Sequence, residues 1–239
     1  MQLPAFARIQ TGKAMNNSLE FASLSKQVYT YLRRQMNHGG LLPGSTINIG
    51  EIAKQLGISK TPLRDALIQL ESEGFVTILP RRGVRVNKLS MQDVKNWYDA
   101  VGLIESFIVT QCIDKIDPSH IQKMEELNKI MIHDIKRSDF SKLFQTNLEF
   151  HNTYLDISDN TPLKRFILPI KHRLYDFPRQ NYIKEWELRN CEEHRLFLNH
   201  LREGDAKKAV LVLKDIHWSF EYQKDFIYKF YKHQCKTKT

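Results

Sequence analysis

Apolar residues at Leu24, Val28, Tyr31, Leu32 and Met36 recur every three or four positions, which predicts a helix ending at His38-Gly39-Gly40. "LLPGSTI" follows as a turn built on Pro43-Gly44. A short helix is predicted after Asn48, with Ile52, Ala53 and Leu56 inward and Gly57 as its stop. A second runs from Lys60 to Ser72, with Ser59 as cap and Leu63, Ala66, Leu67 and Leu70 on one face. The period then changes. "FVTILP" alternates, "RRG" turns and "VRV" returns, the pattern of a β-hairpin.

From Ser90 onward the pattern is helical throughout. Ser90 and Asp93 resemble a capping box, and Val94, Trp97, Val101, Ile104, Ile108 and Cys112 form a stripe. Pro118 opens the next helix, with Ile121, Met124, Leu127 and Met131 inward. Further helices are expected over 139–157, 161–177, 181–203 and 206–232, with breaks at Ser158-Asp159-Asn160, Phe177-Pro178 and Gly204-Asp205. The expected fold is mainly α. A winged helix-turn-helix over 23–88, with three helices and a hairpin wing, precedes an all-α antiparallel helical bundle over 89–233. Residues 1–22 read as an arm and 234–239 as a basic tail.

Charge sharpens this division. The chain of 239 residues carries a net +9. Residues 24–88 hold ten Lys/Arg against four acids, whereas 89–239 hold 24 against 22. A polyanion partner for the first module explains that asymmetry, and a solubility role is the bland alternative. No apolar run approaches the roughly 18 residues of a membrane span, and no secretory signal is evident. Cys112, Cys191 and Cys235 show no CxxC spacing, so free thiols in a cytoplasmic protein are expected.

The second helix of a helix-turn-helix reads DNA with its first turn. Here that turn holds Ser59, Lys60, Thr61, Pro62 and Arg64. Cations at the positive end of a helix dipole are mildly unfavourable, so they point to an outside anion. Arg81, Arg82 and Gly83 would place guanidinium groups at the wing tip. "GISKTPLRDALIQLESEG" and the flanking "PG" turn and "G-V" wing closely resemble the DNA-binding domain of the GntR family of bacterial transcription regulators. The resemblance implies DNA contacts at Ser59, Lys60, Thr61, Arg64 and the wing. It also implies a homodimer on a palindromic operator of double-stranded DNA. Gly50 departs from relatives that carry an Arg just before the position of Glu51.

In the helical module, Asn147 and His151 share a face with Leu143, Tyr154 and Leu155. His194 lies among Cys191, Phe197 and Leu198, and His217 between Leu213 and Phe220. His194 and His217 are 23 residues apart, with the Gly204-Asp205 turn near the middle, so an antiparallel hairpin brings them to similar depth. A divalent-metal site and a set of satisfied core histidines both fit this spacing. "NLEFHNTYLDISDN" and "EEHRLFLNHLREGDAKKA" resemble the FCD ligand-binding domain of FadR-type GntR regulators. That resemblance implies a metal, zinc foremost with nickel or manganese as alternatives, on His151, His194, His217 and more weakly Asn147. It also implies a small carboxylate or sugar-acid effector. Asn147 stands where the family has Asp, which removes a negative charge. Val101 stands where relatives carry an effector-pairing Arg, and Arg173 is the substitute cation expected here.

The expected function is therefore an effector-controlled DNA-binding regulator, in the repressor sense, and not an enzyme. An architectural DNA-binding dimer without metal or effector is one rival. A metallo-hydrolase fused to a DNA-binding module is the other, and it lacks an evident general base or HExxH motif.

Overall fold

A computed structural model describes residues 23–175 and 182–231. The expected arm, the Phe177-Pro178 break and the tail lie outside the described residues. The chain divides into two compact units between Asn87 and Lys88.

The first unit contains α1 (Leu24–Asn37), β1 (Thr46–Ile47), α2 (Ile49–Leu56), α3 (Lys60–Ser72), β2 (Val76–Leu79) and β3 (Gly83–Val86). Its core joins Val28 and Leu32 of α1 to Leu63, Leu67 and Leu70 of α3 and to Ile47, Val76 and Val84 of the sheet. The sheet order is β1-β3-β2, antiparallel throughout. The two-residue strand β1 was not expected, because a strand that short has no readable period. It pairs Thr46 with Arg85 and Ile47 with Val84, fastening the "PG" turn to the wing. Asn48 caps α2 by accepting from the Gly50 and Glu51 amides. Gly57 ends α2 in the left-handed conformation at φ 66°, and the Ile58 amide reaches back to the Ala53 carbonyl.

The second unit is all helical: α4 (Met91–Cys112), a 3-10 turn (Ile113–Lys115), α5 (Pro118–Lys136), α6 (Leu143–Leu155), α7 (Thr161–Tyr175), α8 (Lys184–Arg202), α9 (Ala206–Leu211), a π-turn (Val212–His217) and α10 (Phe220–Tyr231). Ser90 and Asp93 close the capping box that starts α4. Helix α4 lies at the centre, packing against α6, α7, α9, the π-turn and α10. Its buried face is wider than the predicted stripe and includes Tyr98, Gly102, Glu105 and Val109.

The 206–232 segment, expected as one helix, is interrupted. The Trp218 amide bonds to the Leu213 carbonyl at 2.8 Å, an i→i−5 turn, and a new helix begins at Phe220. This irregularity delivers two consecutive residues, His217 and Trp218, to the same interior region.

Candidate functional site

Ser59, Lys60, Thr61 and Arg64 at the start of α3 are all exposed, as are Arg81 and Arg82. None of the six has a side-chain hydrogen bond or ion pair among the described residues. Ser59 occupies the cap position, but its hydroxyl makes no capping bond, contrary to the expectation. The hydroxyl is thereby left facing outward with the neighbouring cations. At the wing, the Arg82 amide bonds to the Leu79 carbonyl, and Gly83 pairs with Leu79. Arg81 sits at φ 60°, a conformation that costs a non-glycine residue free energy and is concentrated at functional positions. Buried Leu63, Ala66, Leu67 and Leu70 anchor the opposite face of α3, so the cationic edge is held out by the core.

In the helical unit, His151 of α6, His194 of α8 and His217 of the π-turn come together. Their ligand-capable atoms all lie within 4.8 Å of one another. All three residues are buried. Each Nδ1 is anchored to an acceptor from another part of the unit or a neighbouring turn. His151 Nδ1 lies 2.9 Å from Glu105 Oε2, His194 Nδ1 3.1 Å from Asn128 Oδ1, and His217 Nδ1 2.9 Å from Glu193 Oε2. Carboxylate oxygens only accept, so His151 and His217 carry their ring proton on Nδ1. The Asn128 amide nitrogen donates to the Cys191 carbonyl, which fixes Oδ1 as the acceptor for His194. The three Nε2 atoms are therefore lone-pair donors. Those of His151 and His194 are buried without a hydrogen-bond partner.

An orphaned buried ring nitrogen is costly unless something fills its lone pair. Two together, beside a third equivalent ring, fit a divalent cation. Imidazoles held at Nδ1 by carboxylate or amide are the arrangement in which histidines ligate metals. Burial drives the His151 pKa down to about 3, with the Lys171 charge adding to the effect, and holds His194 well below its ordinary value. Both rings are thus neutral, the form that binds metal.

Sequence reasoning missed the residues behind the histidines. Glu105 is fully buried and accepts from His151, from the Tyr154 hydroxyl at 2.6 Å, from Trp218 Nε1 at 2.8 Å and from Lys171 Nζ at 2.6 Å. Burial alone would raise the Glu105 carboxyl, but Lys171 and His151 outweigh it and hold it well below the usual carboxylate range. Glu193 accepts from His217 and from Gln223 Nε2 at 2.7 Å, while Gln223 Oε1 accepts from Trp186 Nε1. The available clue to Glu105 was its place on the apolar stripe of α4, four residues after Val101 and three before Ile108.

Asn147 is half-buried and lines a cavity of about 10 Å³ that also reaches His194. A second cavity, about 30 Å³, reaches His217 between Tyr98, Trp186 and Trp218. Glu187 and Asn190 border both. Arg173, expected as the substitute cation, lines neither. Its guanidinium lies 4.6 Å from the centroid of the Trp97 ring. Two positions along a helix is a turn of about 200°. With Lys171 directed at Glu105, Arg173 points elsewhere, and Lys171 is the cation the histidine cluster actually has behind it. Val101 is wholly within the core.

The description "Bacterial regulatory proteins, gntR family" fits residues 24–86, and that of the FCD domain fits residues 96–216. The uncharacterized HTH-type transcriptional regulator YdhC of Bacillus subtilis is 26% identical over 188 residues, 77% of this chain and 83% of its own length. The HTH-type transcriptional repressor RspR of Escherichia coli is 29% identical over 136 residues, spanning 57% of this chain and 60% of RspR. Among solved structures, E. coli McbR/YncC superposes with a TM-score of 0.71 at 21% identity, covering 89% of this chain and 99% of that one, which shows a shared fold. With a basic, exposed edge on one unit and the FCD helical bundle as the other, the chain belongs to the GntR family of bacterial regulatory proteins and is a DNA-binding transcriptional regulator, not an enzyme.

Proposed function

We propose that this regulator is a cytoplasmic repressor that binds a palindromic operator as a homodimer. Its operator affinity is set by a small carboxylate bound at a divalent metal. His151, His194 and His217 would hold the metal, with Asn147 as a weaker neutral donor. The carrying observation is the pair of buried, unpartnered Nε2 atoms of His151 and His194, each on a ring anchored at Nδ1. Zinc is the first candidate, since neutral imidazoles suit it, with nickel and manganese as alternatives. The metal would supply a 2+ charge that no ligand in this set neutralises, and so a position that prefers an anion.

Ser59, Lys60, Thr61 and Arg64 would read base edges and phosphates, and Arg81, Arg82 and Gly83 would lie against the flanking backbone. Exposed Leu103 and Phe107 of α4 and Leu211 of neighbouring α9 support an interface with a second copy. Helix α4 supplies Glu105 to the cluster and follows β3 of the reading unit after residues 87–90. A shift of α4 on ligand binding is the route by which the site would bias DNA affinity.

The test has two arms. Purified protein incubated with zinc should hold one ion per chain by elemental analysis, and His151→Ala/His194→Ala should hold none. A wild-type protein that takes up no divalent ion would defeat the metal site. On an operator selected from random duplexes, Arg64→Ala should lose about 1–3 kcal/mol and relax specificity at one base step. Unchanged operator affinity would sink the assignment of the α3 edge.

A further inference from the structure

We propose that Ile68 of α3 packs against the 5-methyl group of a thymine in the major groove, and so selects a base pair beside the one that Arg64 reads. This rests on the reading of the α3 edge above and adds a specificity residue and a base to it.

Ile68 is 58% exposed and lies outside the apolar core of its unit. A lone exposed apolar residue is ordinary on a protein surface, but the place of this one on α3 is not. At 100° per residue, Ile68 is about 20° from Thr61 and about 40° from Arg64, and it falls between them around the helix. Leu63, Ala66, Leu67 and Leu70 are buried on the opposite side. Ile68 thus stands in the middle of the cationic edge, one turn beyond Arg64. An isoleucine does nothing for the helix there, because its branched Cβ makes it a poorer helix former than leucine or alanine.

The polar side chains beyond it are turned back to the protein. Gln69 Nε2 donates to Glu73, the Ser72 hydroxyl donates to the Gln69 carbonyl, and Glu71 accepts from the Ile78 amide. Past Arg64, Asp65 and Ile68 are the exposed residues left to face outward. Phosphates repel a carboxylate, whereas a cytosine amine donates to one, so this stretch suits base edges better than backbone. The apolar group that a base edge offers in the major groove is the thymine methyl. Spacing agrees. Four residues of helix rise about 6 Å and base pairs lie about 3.4 Å apart, so Ile68 meets the duplex within two base pairs of Arg64. Thr61 and Ile68 are both short, which lets the helix approach the bases closely along their line.

The experiment uses the full chain and a duplex selected from random sequence, with each thymine replaced in turn by deoxyuridine, which lacks only the methyl group. At least one replacement should weaken wild-type binding about fourfold, the scale of one buried methyl group. Ile68→Ala should bind the thymine duplex more weakly and lose nothing further on that replacement. Its salt dependence should match wild type, since no phosphate contact is removed. Ile68→Val, which keeps a branched apolar side chain, should retain part of the discrimination. Comparing two proteins on two duplexes cancels what the methyl does to the duplex itself. A wild type indifferent to every replacement overturns this proposal alone if Arg64→Ala still weakens binding, and overturns the α3 edge with it if Arg64→Ala does not. An Ile68→Ala variant that keeps the sensitivity also overturns the proposal. Self-association that Ile68→Ala abolishes, with the sensitivity unmoved, would assign the residue to contact with a second copy.

Discussion

Glu105 shows how a single charged residue can be obligatory in an interior. Four donors converge on its two oxygens, and Lys171, itself 1% exposed, supplies the balancing charge. Breaking one member of a buried pair leaves the other charge uncompensated, at a cost of about 3–5 kcal/mol. Glu105→Gln should therefore lose stability on that scale in urea unfolding, by stranding the Lys171 ammonium. Glu105→Gln/Lys171→Met should recover much of the loss, because the charge goes with the carboxylate. A double variant no more stable than the single would show that the pair is not the source of the cost. The three histidines were legible because a polar residue inside an apolar stripe stands out. Glu105, Lys171 and Glu193 were not, since a charged residue in one sequence reads as surface until its partner is known. The partners of Glu105 on α6 and α7 are 46 and 66 residues away.

At the level of elements, the tightest point is between α4 and the break after the π-turn. A Cβ on Gly102 would meet Trp218 Cβ at 3.1 Å and the Trp218 carbonyl at 3.5 Å. Alanine gains up to about 1 kcal/mol over glycine inside a helix, whereas overpacking costs about 1–3 kcal/mol. The neighbour is the root of a side chain with no flexible end to give way, so the cost should win. Gly102→Ala should be destabilising by about 1 kcal/mol in denaturant unfolding, and it should perturb near-ultraviolet Trp signals through Trp218. An unchanged or raised midpoint would mean the break yields freely. Periodicity located each helix of the first unit, the wing and α4. It failed where backbone geometry departs from a regular repeat. The π-turn retains apolar residues at helical spacing, and β1 is too short to have a period. The 139–157 prediction began early because Asp139 accepts from the Ser141 amide and hydroxyl in a tight turn before α6 starts at Leu143.

For the molecule as a whole, the buried neutral histidines set a pH dependence. His151 titrates near 3 in the fold and about 6.5 when unfolded, and His194 is displaced in the same direction. Between those values the unfolded chain binds more protons, so stability rises with pH across that window and is lost as pH falls below about 6.5. Each such group contributes a slope of up to about 1.4 kcal/mol per pH unit. The metal-free protein should therefore show urea midpoints that drop steeply between pH 7 and pH 5. His151→Leu should flatten the slope. A flat profile over that range would contradict the neutral, buried state of the cluster. Carboxylates held low, such as Glu105, act with the same sign from the lower part of this window downward. Charge asymmetry and the α3 edge made the DNA-binding role legible at this scale.

The π-turn ties the chemistry to chain length. A turn closed by i→i−5 bonds holds one residue more than a regular α-turn. Lys214 and Asp215 within it are exposed, so exchanging their identities should be absorbed. Deleting either one should let the turn close as ordinary α, with His217 and Trp218 keeping their direction, because the residue removed is the extra one. A further residue has no such slack: inserted here, it would rotate everything beyond it by about 100°, taking His217 off the cluster and Trp218 off Glu105. Along this stretch the fold can absorb the loss of a codon but not the gain of one.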